Sequence, residues 1–194
     1  MHDMRFLASN ASKLDDPKRN EMLPVAAVLG FLAVLPGEAI ADVGAGTGYF
    51  SLPLAEAVGP KGKVYAVDAQ VEMLARIKQK LNQSAFANIE LIHAEATHTS
   101  LPDFSCDLLF LANVWHEIND KTAVLQESMR VLKVDGRIAI LDWRTDVEPE
   151  AGPPLAHRID PSQAKAALIA AGFSQIALAE VGRYSWLVQG EKRP

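Results

Sequence analysis

Seven residues, Asp42-Val43-Gly44-Ala45-Gly46-Thr47-Gly48, set three glycines at alternate positions behind an acidic one. Glycines spaced this way let a backbone approach a ligand closely, because no β-carbon stands in between. The pattern differs from the G-x-G-x-x-G of dinucleotide loops, since Tyr49 stands where the last glycine would fall. Twenty positions beyond Gly48, the run Lys63-Val64-Tyr65-Ala66-Val67 ends in Asp68. A carboxylate at that place can accept hydrogen bonds from both hydroxyls of a ribose.

Such a loop has to be carried by a strand that turns into a helix. Glu38-Ala39-Ile40-Ala41 before it is mostly apolar, and the segment after Gly48 has the spacing of an amphipathic helix. Further short apolar runs predict strands at 39–43, 63–68, 89–94, 107–113 and 137–143, with helices at 48–58, 70–83 and 120–133 between them. That alternation predicts a doubly wound α/β fold, its parallel sheet covered on both faces. The Pro/Gly-rich 148–154 reads as a loop, followed by a helix at 162–171 that Gly172 ends. Two strand-like runs in the tail, 174–182 and 184–192, are separated only by Gly182-Arg183, too short for a parallel crossover. They predict an antiparallel C-terminal hairpin and a seven-stranded, mostly parallel sheet. Residues 14–34 suggest one or two short helices outside the sheet. We therefore expect an N-terminal helical lid over 1–36, packed on the same domain as 37–194.

Bulk properties narrow the function classes. The chain has 194 residues, 49% of them hydrophobic and 22% charged, and a net charge of −5. One domain with a sizeable core is expected. No basic stripe is present, so a nucleic-acid partner is not expected. Cys106 is the single cysteine, which rules out an intramolecular disulfide or a cysteine metal cluster. The N-terminus lacks the pattern of a signal peptide, and the longest apolar run, 26–35, is about half a membrane span. A cytoplasmic protein without a membrane span is the expectation.

The glycine motif, Asp68 and the antiparallel tail resemble the class I S-adenosylmethionine-dependent methyltransferases. The likeness covers the whole chain and is strongest to small bacterial members of the ubiquinone/menaquinone methyltransferase-like (type 11) group. It rests on "LDDPKRNEMLP", "DVGAGTGYFSLPLAEAVGPKGKVYAVD", "LANVWHEIND" and "MRVLKVDGRIAILDW". The resemblance implies S-adenosylmethionine as cofactor, S-adenosylhomocysteine as product, and no metal. It implies that Gly44, Ala45, Gly46 and Gly48 line the methionine end, with Asp42 nearby. Asp68 would bind the ribose, and Ala69 with Met73 would pack on the adenine. Glu95 and Ala96 would read the adenine amine, while Asn113 and Val114 sit where a main-chain carbonyl receives the ammonium group. The sequence departs from the family at Lys133-Val134-Asp135-Gly136, where many relatives have Lys-Pro-Gly-Gly.

Methyl transfer is an in-line displacement at a carbon on a positive sulfonium, so the protein mainly aligns the nucleophile and excludes water. A base is needed when the acceptor carries a proton at the moment of attack. Groups facing a small-molecule acceptor should project from the ends of the fourth and fifth strands. That points to His116 as base, with Asp142 and Arg144 as further catalytic candidates and Glu117 beside them. His157 and Arg158 follow the Pro-rich loop and are placed to cover the acceptor. A zinc reading of His116-Glu117 fails because Asp120 stands where a second histidine is required, and His93 with His98 makes a weak ligand pair. The opposing function class is a non-catalytic cofactor-binding module acting as sensor or partner. A nicotinamide oxidoreductase is a third reading, opposed by Tyr49 and the tail. Residues 6–20 are expected to fold over the cofactor, with Asp16 or Arg19 near its methionine end.

Overall fold

A computed structural model describes residues 6–148 and 152–193. The chain enters through a 3-10 segment, Ala8–Asp15, then α1 (Arg19–Met22) and α2 (Val25–Leu32). β1 (Ala39–Val43), α3 (Ser51–Val58), β2 (Lys63–Asp68), α4 (Val71–Leu81), β3 (Ile89–His93) and β4 (Cys106–Ala112) follow. A 3-10 turn, Trp115–Glu117, leads to α5 (Lys121–Val131) and β5 (Leu132–Trp143). A second such turn, Leu155–His157, precedes α6 (Pro161–Ala170), β6 (Phe173–Val181) and β7 (Ser185–Lys192).

The strands form one sheet in the order β3-β2-β1-β4-β5-β7-β6. β1 to β5 pair in parallel, whereas β7 runs antiparallel to both β5 and β6. The seven-stranded α/β sheet with its antiparallel hairpin is the architecture expected from the sequence. Chain order reverses between β1 and β4, which leaves a crevice beyond their carboxyl ends. Alternation along the strands builds two cores. Ile40, Leu108, Phe110 and Leu141 face α2 and α3, whereas Val43, Leu109, Leu111 and Ile140 face Trp115, α5 and α6. Burial on both faces is what the continuous apolar runs require.

Several boundaries differ from the sequence reading for identifiable reasons. α3 begins at Ser51 instead of 48, because Gly48 and the two residues after it form the turn into the helix. α5, capped by the Asp120 carboxylate accepting the Ala123 N–H at 2.9 Å, ends at Val131. Leu132 already pairs with Cys106, and "KVDG" is a bulge within β5, with Asp135 at φ +62°. α6 starts at Pro161, capped by Asp160. The β6–β7 register is interrupted between Ser174 and Ala177, where Gln175 has φ +52°. The turn at Gly182 lies under the N-terminal helices, so close that a β-carbon there would stand 2.7 Å from the Met22 carbonyl oxygen.

Candidate active site

The loops beyond β1, β2, β4 and β5 surround a cavity of about 940 Å³. Gly44 makes this possible. At φ +75° its missing β-carbon would stand 2.3 Å from Val114 Cγ2, so a side chain would force the loops after β1 and β4 apart. Gly48 serves a different end: it lies outside the cavity lining, and a β-carbon would meet Leu52 Cδ1 at 2.7 Å and Ile77 Cγ1 at 3.2 Å. The expectation that it lines the ligand is corrected: it packs the loop onto α3 and α4.

Asp68 ties the loop to α4. Its Oδ2 accepts the Gly46 N–H and its Oδ1 the Gln70 N–H, each at 2.8 Å. Burial raises its pKa, partly opposed by those two N–H groups. Asp42, fully enclosed, accepts the Ser51 hydroxyl at 2.5 Å. Burial pushes its carboxyl up to about 6, aided by the charge of Asp68. Ala45 and Gly46 line the cavity, as do Ala69, Met73, Glu95 and Ala96 toward one end. The Ala69 carbonyl is further held by His93 Nε2 at 3.0 Å.

After β4, Asn113 adopts φ +58° and donates its N–H to the Leu141 carbonyl at 2.8 Å. Its Oδ1 is buried without a partner among the described residues, and both Asn113 and Val114 line the cavity. The following turn presents His116. Its backbone N–H and its Nδ1 both reach the Asp142 carboxylate at 2.8 Å, and the Trp143 N–H adds a third bond. An ionised carboxylate only accepts, so Nδ1 carries the proton and the Nε2 lone pair is left available. Burial disfavours the imidazolium, but Asp142 and Glu117 outweigh it and the His116 pKa is raised. Glu117 Oε1 stands 3.7 Å from Nε2, and burial pushes this carboxyl up to about 7. Asp142 itself is fully buried behind the imidazole and does not line the cavity.

Arg144 is not brought to this cluster, which corrects the expectation for it. The guanidinium pairs with Asp146 at 2.7 Å and with Glu180, in a separate surface groove beside β6. Its backbone N–H bonds the Tyr184 carbonyl, so the chain here stays beside the start of β7. Arg158 is likewise structural: it bonds the carbonyls of Pro153 (3.1 Å), Arg144 (2.8 Å) and Val147 (3.3 Å) and lies over the Trp143 ring. His157 does line the cavity. Of the expected loop 148–154, residues 149–151 lie outside the described residues, as do 1–5 of the expected lid.

The N-terminal segment lies across the cavity as a strap. Phe6 donates its N–H to Glu117 Oε1 at 3.1 Å, and the Gln70 side chain bonds the Phe6 carbonyl (2.9 Å) and the Ala8 N–H (3.1 Å). Asp15 accepts the Thr47 hydroxyl and the Lys80 ammonium at 2.6 Å each. Arg19 stacks on Tyr49 at 4.2 Å and donates to the Leu14 carbonyl at 3.1 Å. Asp16 and Arg19 both line the cavity. Sequence reasoning missed Gln70, Ser51, Trp143 and the Asp15–Lys80 pair, because each gains its role from a partner far away in the chain. Among the described residues, no group of three His, Cys, Asp or Glu side chains is placed to hold a metal, and no helix is long and apolar enough to cross a membrane.

Comparison with known proteins bears on this geometry. Residues 41–140 match the family described as "Methyltransferase domain". The structure is similar to that of a SAM dependent methyltransferase from Aquifex aeolicus, with a TM-score of 0.91 and 34% identity over 96% of this chain and 99% of that one. Demethylmenaquinone methyltransferases from Geobacillus sp. and Listeria welshimeri are 36% and 34% identical over 56% and 57% of this chain. The match covers 47% of each of those two proteins, so the chain spans about half the length of these curated relatives. On family match, structural likeness and motif together, the chain belongs to the class I S-adenosylmethionine-dependent methyltransferases.

Proposed function

We propose that this protein transfers a methyl group from S-adenosylmethionine to a small apolar acceptor that loses a proton as it reacts. The observation that carries the reading is the His116–Asp142 pair, whose Nε2 face opens on the cavity just beyond the glycine loop. The residues fit the cofactor. Gly44, Ala45 and Gly46 line the cavity with backbone, together with Asp42, and the loop keeps its place because Gly44 carries no β-carbon to strike Val114. Asp68 keeps lone pairs for ribose hydroxyls after accepting its two backbone N–H groups. Ala69 and Met73 offer an apolar seat for adenine, with Glu95 and Ala96 at its edge. Asn113 and Val114, which line the cavity, would adjoin the ammonium group. Arg19 has no carboxylate within ion-pair distance among the described residues, which suits the carboxylate of the methionine end.

When bound, the cofactor supplies an activated methyl group on a sulfonium. The chain's own part is to hold the acceptor atom in line, exclude water and take the proton. Asp142 fixes the imidazole and its tautomer, and Nε2 accepts the proton. Phe6, Met22, Tyr49, Phe50, Trp143 and Pro154 give the cavity an apolar and aromatic lining. Since relatives are named as demethylmenaquinone methyltransferases, a reduced quinone is the acceptor to assay first. Residues 6–36 act in this reading as a lid on the same domain as the described residues that follow.

The test is turnover of His116→Ala with labelled cofactor, measured beside its affinity for S-adenosylhomocysteine. Turnover should fall by about 10²–10⁴, the usual range for general-base catalysis, with cofactor affinity nearly unchanged. Unchanged turnover per folded molecule would remove His116 from the chemistry. Binding of the cofactor with no transfer to any quinol, phenol, amine or thiol would favour a sensor module.

A further inference from the structure

One oxygen of Glu117 faces two partners. Oε1 accepts the Phe6 N–H at 3.1 Å and stands 3.7 Å from His116 Nε2. Asp142, His116, Glu117 and the head of the strap therefore follow one another along the cavity wall, hydrogen-bonded at both ends, with a 3.7 Å gap between Nε2 and Oε1 that must shorten for a proton to cross. The other anchors of the strap, at Gln70 and at Asp15–Thr47–Lys80, do not touch His116.

We propose that Glu117 is the second station for the proton taken up by His116, and that its protonation loosens the strap at Phe6. This rests on the methyl-transfer reading. In the reacting step a lone pair on the acceptor atom forms the bond to the methyl carbon, and the carbon–sulfur pair returns to sulfur. The acceptor's proton passes to His116 Nε2. The imidazolium then gives that proton to Glu117 Oε1, leaving a neutral imidazole whose Nδ1–H still bonds Asp142. No oxidant or reductant is required.

The energetics favour such a link. Burial is the largest influence on Glu117 and favours its protonated form, as do the charges of Asp142 at the end of β5 and Asp68 at the end of β2. The His116 charge and the Phe6 N–H favour the ionised form, while Lys121 on α5 acts on His116. The balance pushes the Glu117 carboxyl up to about 7, so it can hold a proton where an ordinary carboxylate would release it, beside the imidazole that takes one up. A bond from the strap that favours the charged carboxylate must, by linkage, be favoured by it. A charged acceptor holds an amide N–H about twice as strongly as a neutral one. The strap is thus held while Glu117 is ionised and loosens once the reaction's proton has arrived, when product has to leave.

The experiment uses the full chain without acceptor. The Phe6 amide resonance is followed by ¹⁵N NMR from pH 5.5 to 9 in the wild type, Glu117→Gln and His116→Gln. Chymotryptic cleavage at Phe6 is measured in parallel and divided by the rate for Glu117→Gln. The wild-type amide should titrate with a midpoint near pH 7, and normalised cleavage should run about five- to tenfold faster at pH 6 than at pH 8, the worth of a charged over a neutral acceptor. Glu117→Gln should leave the amide independent of pH, because its oxygen accepts at every pH. His116→Gln should raise the midpoint, since the imidazolium's support is gone. A flat wild-type amide, a titration that survives Glu117→Gln, an unmoved midpoint in His116→Gln, or cleavage fastest at pH 8 overturns the proposal. None of these readings needs turnover, so their failure leaves the methyl-transfer reading standing. Failure of that reading would leave the titration in place.

Discussion

At the residue scale, burial raises the pKa of both aspartates beside the glycine loop, but they are held by different partners. Asp68 accepts two backbone N–H groups, so Asp68→Ala removes the loop's tie to α4 along with the expected ribose contacts. S-adenosylhomocysteine affinity should fall tens- to hundredfold by calorimetry, about 2–3 kcal/mol. Asp68→Asn keeps one acceptor but turns its NH₂ against a backbone N–H, so it should lose part of this. Asp42 accepts a side-chain hydroxyl, that of Ser51, in place of backbone N–H groups. Its folded pKa of about 6 lies above the ordinary value of 3.8, so the native state binds the extra proton. Stability on this account is highest below the unfolded value and falls as pH rises through 4 to 6. Asp42→Asn should therefore raise the thermal midpoint at pH 8 and hardly at pH 4, a gain on the order of 2 kcal/mol. A midpoint gain equal at both pH values would contradict this. The spacing of Asp42, the glycines and Asp68 was legible in the sequence. The split between Gly44, which lets two loops meet, and Gly48, which packs the loop onto α3 and α4, was not, since the atoms they meet are set by tertiary packing.

At the scale of elements, strands and helices were readable because each carries its own period and caps, as the Asp120 and Asp160 caps of α5 and α6 illustrate. The bulge at Lys133-Val134-Asp135-Gly136 stood out in the sequence only as a departure from the family's Lys-Pro-Gly-Gly. Pairing with β4 resumes on both sides of it, and no local signal announces that. The strap was expected from its polarity and from Pro17, but its fastenings were hidden. Gln70 follows Asp68-Ala69 by chain position alone and becomes an anchor only when Phe6 and Ala8 come to it. Gln70→Ala should loosen 6–15 and increase proteolysis of the strap several-fold while leaving far-UV circular dichroism unchanged. Added S-adenosylmethionine should restore protection, because Lys13, Leu14 and Arg19 line the same cavity. Protection unaltered by the substitution would place the strap's hold elsewhere, at Asp15 and Lys80.

For the whole molecule, a parallel sheet that finishes antiparallel has a structural cost at its border. β6 is one of the two edge strands, and among the described residues one of its sides has no neighbour in the sheet. Backbone groups left along such a border invite pairing with the same border of another molecule. Here the strand is misaligned on itself: the step between Ser174 and Ala177, with Gln175 in left-handed geometry, bends it and shifts its hydrogen-bonding rhythm. Glu180, near the far end, adds a charge that Arg144 holds in place. Leu178, half exposed between these two features, is the apolar side chain they guard. Deleting Gln175 would straighten the strand and is expected to yield a folded chain that assembles with itself, seen as concentration-dependent light scattering. The distortion at Gln175 would then be a safeguard of solubility, separate from anything the cavity does.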